Sequence, residues 1–173
     1  ALSGQSDSLT YNSDQKIIYL NHEPVLWMEE FQLTADSIKL LLEDKKIKQA
    51  LLSSKAFILS STDSVSANQI SGLNMKANFE NNKLTSINVV GNGESIYYVI
   101  DDETDENIGL NKIICSNMFI TMEENRLKNI KFFEQPTATM YPIKDVTTEI
   151  KLLKNYKYVN KGDVATKIKN KTK

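Results

Sequence analysis

The sequence contains a single cysteine, Cys115, so an intramolecular disulfide and an all-thiolate metal site are both excluded. A lone small thiol of this kind reads as core filler. His22 is the only histidine, which leaves no multi-histidine zinc site and no triad with a spare base. No nucleophile elbow or Cys/His motif flanks it, and its place before Glu23-Pro24 reads as a turn. Three prolines and six glycines are too few for a collagen-like fibre or a disordered chain. No apolar run approaches the roughly 18 residues that cross a bilayer as a helix. The first residues, Ala1 to Ser6, lack the basic-then-apolar plan of a signal peptide, so any export signal is expected to have been removed or to be missing from this sequence.

What remains is ordinary globular material, 40% hydrophobic and 25% charged, enough for one domain or one short array of repeats with an apolar interior. The net charge of −1 conceals an asymmetry. Residues 144–173 carry nine lysines against Asp145, Glu149 and Asp163, a balance of +6, whereas residues 1–143 carry −7. The two parts are therefore read separately.

The body holds an internal repeat, marked by three polar turns that each lead into a basic residue and an aliphatic one. They are Glu43-Asp44-Lys45-Lys46-Ile47, Glu80-Asn81-Asn82-Lys83-Leu84 and Glu123-Glu124-Asn125-Arg126-Leu127. Eight, six and four residues before the basic position stand Ile38, Leu40 and Leu42, then Met75, Ala77 and Phe79, then Met118, Ile120 and Met122. All nine are apolar with mostly polar residues between, the period-two pattern of half-buried strands. After the turn come Ile47, Ala50 and Leu52, then Leu84, Ile87 and Val89, then Leu127, Ile130 and Phe132. Here a step of three interrupts the alternation, which predicts a β-bulge or corner.

A degenerate fourth copy opens the chain, with Leu9 and Tyr11 before Asn12-Ser13-Asp14-Gln15 and then Lys16, Ile17 and Leu20. The basic anchors are spaced by 30, 37 and 43 residues, which puts insertions in loops at Thr62 to Asn68 and Asp101 to Asn107. Each unit reads as a hairpin plus a return strand, closing with Pro24 to Trp27, Ala56 to Leu59, Ser95 to Tyr98 and Pro136 to Tyr141. One unit cannot bury its own apolar face, so the units stack around a shared interior. The predicted fold is all-β, elongated and open-ended. Within the tail, Val146 to Val159 fits either a short helix or a further strand, and Lys161 to Lys173 reads as disordered.

Other motifs have plain readings. Asp101, Glu103 and Asp105 have the alternate spacing of a calcium loop, but Glu106 stands where glycine is needed and Lys112 where the closing glutamate belongs. A solvated acidic loop is expected, with no metal. Gly91-Asn92-Gly93 lacks phosphate-loop spacing and reads as a hairpin turn. The lysines of the tail offer sequence-blind attraction to phosphates, yet a solvated linker is the simpler reading and no nucleic-acid partner is expected.

Asp7 to Asn12, Pro24-Val25-Leu26-Trp27 and Gln32 to Ile38, taken as an ordered series, resemble the OstA-like (LptA-type) family of lipopolysaccharide-transport proteins. The Bacteroidetes OstA-like proteins also resemble it at Gly91 to Tyr98 and Ala138 to Pro142, so the resemblance covers roughly residues 7–143. It implies a twisted β-jellyroll, or β-taco, domain at 1–143, followed by a Lys-rich tail or linker at 144–173. It also implies a periplasmic, non-enzymatic role in outer-membrane biogenesis that needs no cofactor. The lipid A acyl chains of lipopolysaccharide would lie in an apolar groove lined by Ile38, Leu40, Leu42, Met75, Ala77, Phe79, Met118, Ile120, Met122, Leu127, Ile130 and Phe132. The first strand, through Leu9, Thr10 and Tyr11, would join another β-taco protein or a second copy end to end, with membranes reached only through partners. The lengthened acidic loop and the Lys-rich tail depart from the family pattern. From the residues alone a second reading stands beside this one: a scaffolding β-repeat protein with a closed core and partner-binding edge strands. An enzyme on such a scaffold would need a convergent acid and base, which the sequence does not offer.

Overall fold

The structure, a computed structural model, describes residues 2–161 apart from 29, 61–66, 82, 102, 124 and 125, and apart from the side chains of 126 and 127. The described residues form one 12-stranded antiparallel sheet. Its strands are β1 (Leu2–Gln5), β2 (Ser8–Asn12), β3 (Ile17–Asn21), β4 (Val25–Met28), β5 (Phe31–Thr34), β6 (Ser37–Glu43), β7 (Lys46–Ser60), β8 (Asn68–Glu80), β9 (Lys83–Ile100), β10 (Asn107–Glu123), β11 (Arg126–Phe133) and β12 (Thr137–Pro142).

The hairpins fall where the repeat predicts them. Glu43 pairs with Lys46, Glu80 with Lys83 and Glu123 with Arg126. In the first turn Asp44 and Lys45 both adopt positive φ, 49° and 63°, the left-handed pair that matches the twist of a two-residue hairpin. Just beyond each turn the ladder skips one residue: Lys48, Thr85 and Lys128. These bulges let Ile47 and Ala50, or Leu84 and Ile87, face the same side although they stand three apart, as the spacing requires.

Four long strands, β7 to β10, form the spine, and a second set of register shifts crosses all four in line. The shifts lie between Ser53 and Ala56, Ser71 and Asn74, and Cys115 and Asn117, with the skip in β9 between Val90 and Gly93. Ser54, Lys55, Gly91 and Asn92 all have positive φ along this line. Gly91-Asn92-Gly93 is thus a bulge inside β9 and not the hairpin turn read from sequence. Hairpin and bulge both demand left-handed backbone, which is why the triplet misleads. For the same reason Ala56 to Leu59 and Ser95 to Tyr98 continue β7 and β9 and are not separate return strands.

The bulge line divides the sheet into two halves. On the hairpin side the order runs β2, β3, β6, then the spine, then β11; on the other it runs β1, β4, β5, then the spine, then β12. The second half also carries apolar side chains on its other face. Ala56 and Ile58 belong to one core cluster, while the alternating Phe57 and Leu59 belong to another with Ala67, Ile96, Leu110 and Leu153. After a 3₁₀ turn at Ile143–Asp145, residues 146–159 lie against this outer cluster and form neither a helix nor a ladder strand. The predicted insertion at Thr62 to Asn68 lies largely outside the described residues, as does 162–173; β8 begins at Asn68.

Candidate functional site

Alternation along the strands sends the repeat's apolar residues to one face, and the curl of the sheet gathers them into a single interior. Ile38, Leu40, Met75, Ala77, Phe79, Met118 and Ile120 are all buried there, several with no exposed surface at all. Leu42 is half-buried opposite Ile47, and Met122, Ile130 and Phe132 pack on the cluster while remaining partly open. The backbone of Leu127 pairs with Met122, and its side chain lies outside the described ones. The structure therefore brings ten of the twelve predicted groove residues together, all but Leu42 and Leu127, as members of a packed core or side chains lying against it.

The interior is covered unevenly. Its partly open members Ile18, Ile47, Met122, Ile130 and Phe132 all belong to the hairpin half, and Ile70 alone belongs to the other. A cleft of about 220 Å³ opens at the hairpin ends, where Ile47 and Phe79 lie beside Glu43, Lys46 and Glu80. In the second half Leu26, Met28, Phe31, Leu33 and Ile58 are at most 5% exposed, whereas Leu2, Tyr97 and Met140 at the margins of the same face are exposed.

Little in this interior can do chemistry. Burial pushes the Cys115 thiol above its usual pKa, which keeps it protonated and unreactive. Ser95 is 2% exposed, stands in register with Ile70 and Ile113, and its hydroxyl has no hydrogen-bond partner among the described residues. His22 and Glu23 occupy positive-φ positions in the link from β3 to β4, consistent with a turn histidine. The Asp101 carboxylate accepts hydrogen bonds from the backbone N–H of Thr104 and Glu103 at 2.9 and 3.0 Å and from the Thr104 hydroxyl, and these hold its pKa below the usual range. It organises its own loop, and no metal-binding group of side chains occurs among the described residues.

Leu9, Thr10 and Tyr11 lie on β2, which among the described residues pairs with β3 alone and so presents an open edge. Leu9 shares the interior face with its partner Leu20, yet it is 64% exposed, with no described strand beyond it.

The sequence reading missed a polar feature on the outer face. Gln32 in β5 and Gln69 in β8 are buried, in one row of the sheet with Leu59 of β7 between them. The Gln69 amide donates to the carbonyl of Lys151 at 2.7 Å and accepts from the N–H of Leu153 at 2.9 Å. Gln32 does the same at Lys157, 2.6 Å, and Val159, 2.8 Å. The Trp27 indole donates to the Val159 carbonyl, and Lys157 pairs with Glu23, lowering that carboxyl's pKa. Two signals were present: the four-residue apolar run Ala56 to Leu59, which implies burial on both faces, and the apolar spacing of Ile150, Leu153 and Tyr156 in the tail.

No protein-family model matches the sequence, and no curated protein matches it. Among solved structures the chain is similar to LptH, the LptA-homologous periplasmic component of the conserved lipopolysaccharide transport device from Pseudomonas aeruginosa. The TM-score is 0.60 at 10% identity, with 82% of this chain and 94% of that chain covered. The likeness establishes the fold: this chain is a β-jellyroll of the LptA type.

Proposed function

We propose that this protein is a non-enzymatic, OstA-like component of lipopolysaccharide transport that works in the periplasm and holds lipid A acyl chains against its inner strand faces. The observation that carries the reading is a continuous apolar interior, built by repeats, in a fold shared with a periplasmic lipopolysaccharide-transport component. The driving term is hydrophobic. Each methylene removed from water contributes about 0.8 kcal/mol, so an acyl chain of about ten gains on the order of 8 kcal/mol. That gain offsets the separation of side chains that now touch one another, because the incoming chain replaces their contacts. Met75, Met118 and Met122 suit this exchange, since methionine repacks against irregular apolar shapes. Sugar and phosphate stay in water, and no covalent step or cofactor enters. Partners of the same fold would join end to end, and the membrane would be met through them.

The tight packing of Ile38, Ala77 and Ile120 favours a second reading, a scaffolding repeat whose core stays closed and whose edges bind partners. Mass spectrometry of protein purified from a lipopolysaccharide-producing host separates the two. Retention of lipid A species supports transport; a lipid-free protein that also leaves added lipid A unbound supports the scaffold.

A further inference from the structure

Residues 146–159 cross the outer face of the sheet strand by strand. Val146, Ile150, Leu153 and Tyr156 pack on the outer cluster, to which β10 contributes Leu110, β9 Ile96 and β7 both Phe57 and Leu59. Tyr156 meets Phe57 edge-on, with ring centroids 6.4 Å apart. Gln69 then holds the segment on β8, Gln32 on β5 and Trp27 on β4. Each glutamine takes the carbonyl of one residue and the N–H of the residue two further on, the pairing that a parallel neighbour strand would offer. Six strands are thus tied by one segment, β7, β9 and β10 through its side chains and β8, β5 and β4 through its backbone.

All these ties lie on one side of the bulge line, the side on which Leu26, Met28, Phe31, Leu33 and Ile58 are buried in the interior, although Leu2, Tyr97 and Met140 at the margins of the same face are exposed. Among the described residues the other half has no such cover, and it holds five of the six half-buried residues that pack on the interior cluster. Between the halves, the four spine strands break register together, with left-handed residues in β7 and β9. We propose that residues 146–159 are a strap that holds one half of the sheet rigid, so that the interior opens only on the hairpin half, which swings about the bulge line. The swing stands on the geometry alone. That it admits acyl chains past Ile18, Ile47, Met122, Ile130 and Phe132 rests on the function proposed above.

Hydrogen exchange of the full chain tests the strap without lipid. In the unmodified protein the amides of β6 and β11 exchange faster than those of β5 and the first half of β8. In the Gln32→Ala/Gln69→Ala variant the Leu153 and Val159 amides lose protection and the strapped half speeds up by about tenfold, while the hairpin half keeps its rate. Leu153→Asp, which alters the strap and leaves every strand intact, gives the same pattern should the double variant fail to fold. Equal rates in the two halves of the unmodified protein, or equal acceleration of both on release, overturns the proposal. A photoreactive side chain at Ile47 or Leu33 supplies the lipid arm. Lipid A labels position 47 alone in the unmodified protein and both positions once the strap is released. Labelling nowhere, with the exchange pattern intact, refutes the lipid reading and leaves the strap; labelling at both positions in the unmodified protein refutes strap-directed entry.

Discussion

Gln69 is 1% exposed, and both ends of its amide are engaged by strap backbone that would otherwise have a carbonyl and an N–H buried without partners. An unmade buried hydrogen bond costs about 1–3 kcal/mol, so Gln69→Leu, similar in size but mute, should destabilise the protein by about 2–4 kcal/mol in denaturant unfolding. A loss below about 0.5 kcal/mol would mean that water reaches the strap. Ser95 presents the opposite case, a buried hydroxyl with no partner among the described residues. Ser95→Ala removes that penalty and should raise stability by about 1 kcal/mol; a clear fall in melting temperature would show that the hydroxyl has a partner after all. The inward parity can be checked by charge. Phe79→Asp or Met118→Asp buries an unpaired carboxylate, and should both unfold the interior and end lipid retention. Lys76→Asp, exposed on the opposite face, should do neither, and equal damage from the two classes in a thermal melt would reverse the assignment of faces.

At the scale of elements, the sequence was most legible where chemistry and period coincide. The hairpins could be placed because polar turns recur at a fixed offset from alternating apolar residues, and the bulges at Lys48, Thr85 and Lys128 because a step of three cannot be reconciled with an unbroken ladder. The predicted interior residues gather for the same reason. The bulge line was not legible, since Ser54-Lys55 and Ser116 carry no turn signal, and the one triplet that does, Gly91 to Gly93, is equally suited to a hairpin. The strap was legible only in part: the apolar run Ala56 to Leu59 and the spacing of Ile150, Leu153 and Tyr156 hint at a covered outer face, but nothing in a turn-rich segment says that the distant Gln32 and Gln69 hold its backbone. The first hairpin permits a direct test of turn chemistry. Lys45 sits at φ 63°, a conformation that costs a side-chain-bearing residue about 1 kcal/mol and glycine almost nothing. Lys45→Gly should therefore stabilise the protein by about 0.5–1 kcal/mol despite glycine's greater freedom when unfolded. A loss of stability would indicate that the Lys45 side chain contributes contacts that outweigh the backbone strain.

For the whole molecule, a sheet that curls without closing must end somewhere, and its ends differ. At one end the outer edge of β2 has no strand partner among the described residues, and its Leu9 and Tyr11 are 64% and 54% exposed. At the other, β11 and β12 lie side by side on β10, and β12 ends at Pro142, which has no N–H to donate. An uncovered apolar edge invites a partner strand, whose hydrogen bonds would continue the sheet and whose side chains would extend the interior past Leu20. We therefore expect β2 to mediate end-to-end association with a second copy or with an LptA-type protein. Backbone N–H groups alternate in direction along a strand, so of the neighbours Leu9 and Thr10 one points its N–H at the open edge and the other at β3. Proline at the first position should suppress concentration-dependent oligomers in sedimentation velocity while leaving the melt of the body unchanged. Proline at the second should also loosen the pairing of β2 with β3, since it removes a bond inside the sheet. The contrast between the two substitutions identifies the docking edge. If the unmodified protein stays monomeric at every concentration and binds no LptA-type protein, the β2 edge is not a docking edge, and neither proline will alter assembly.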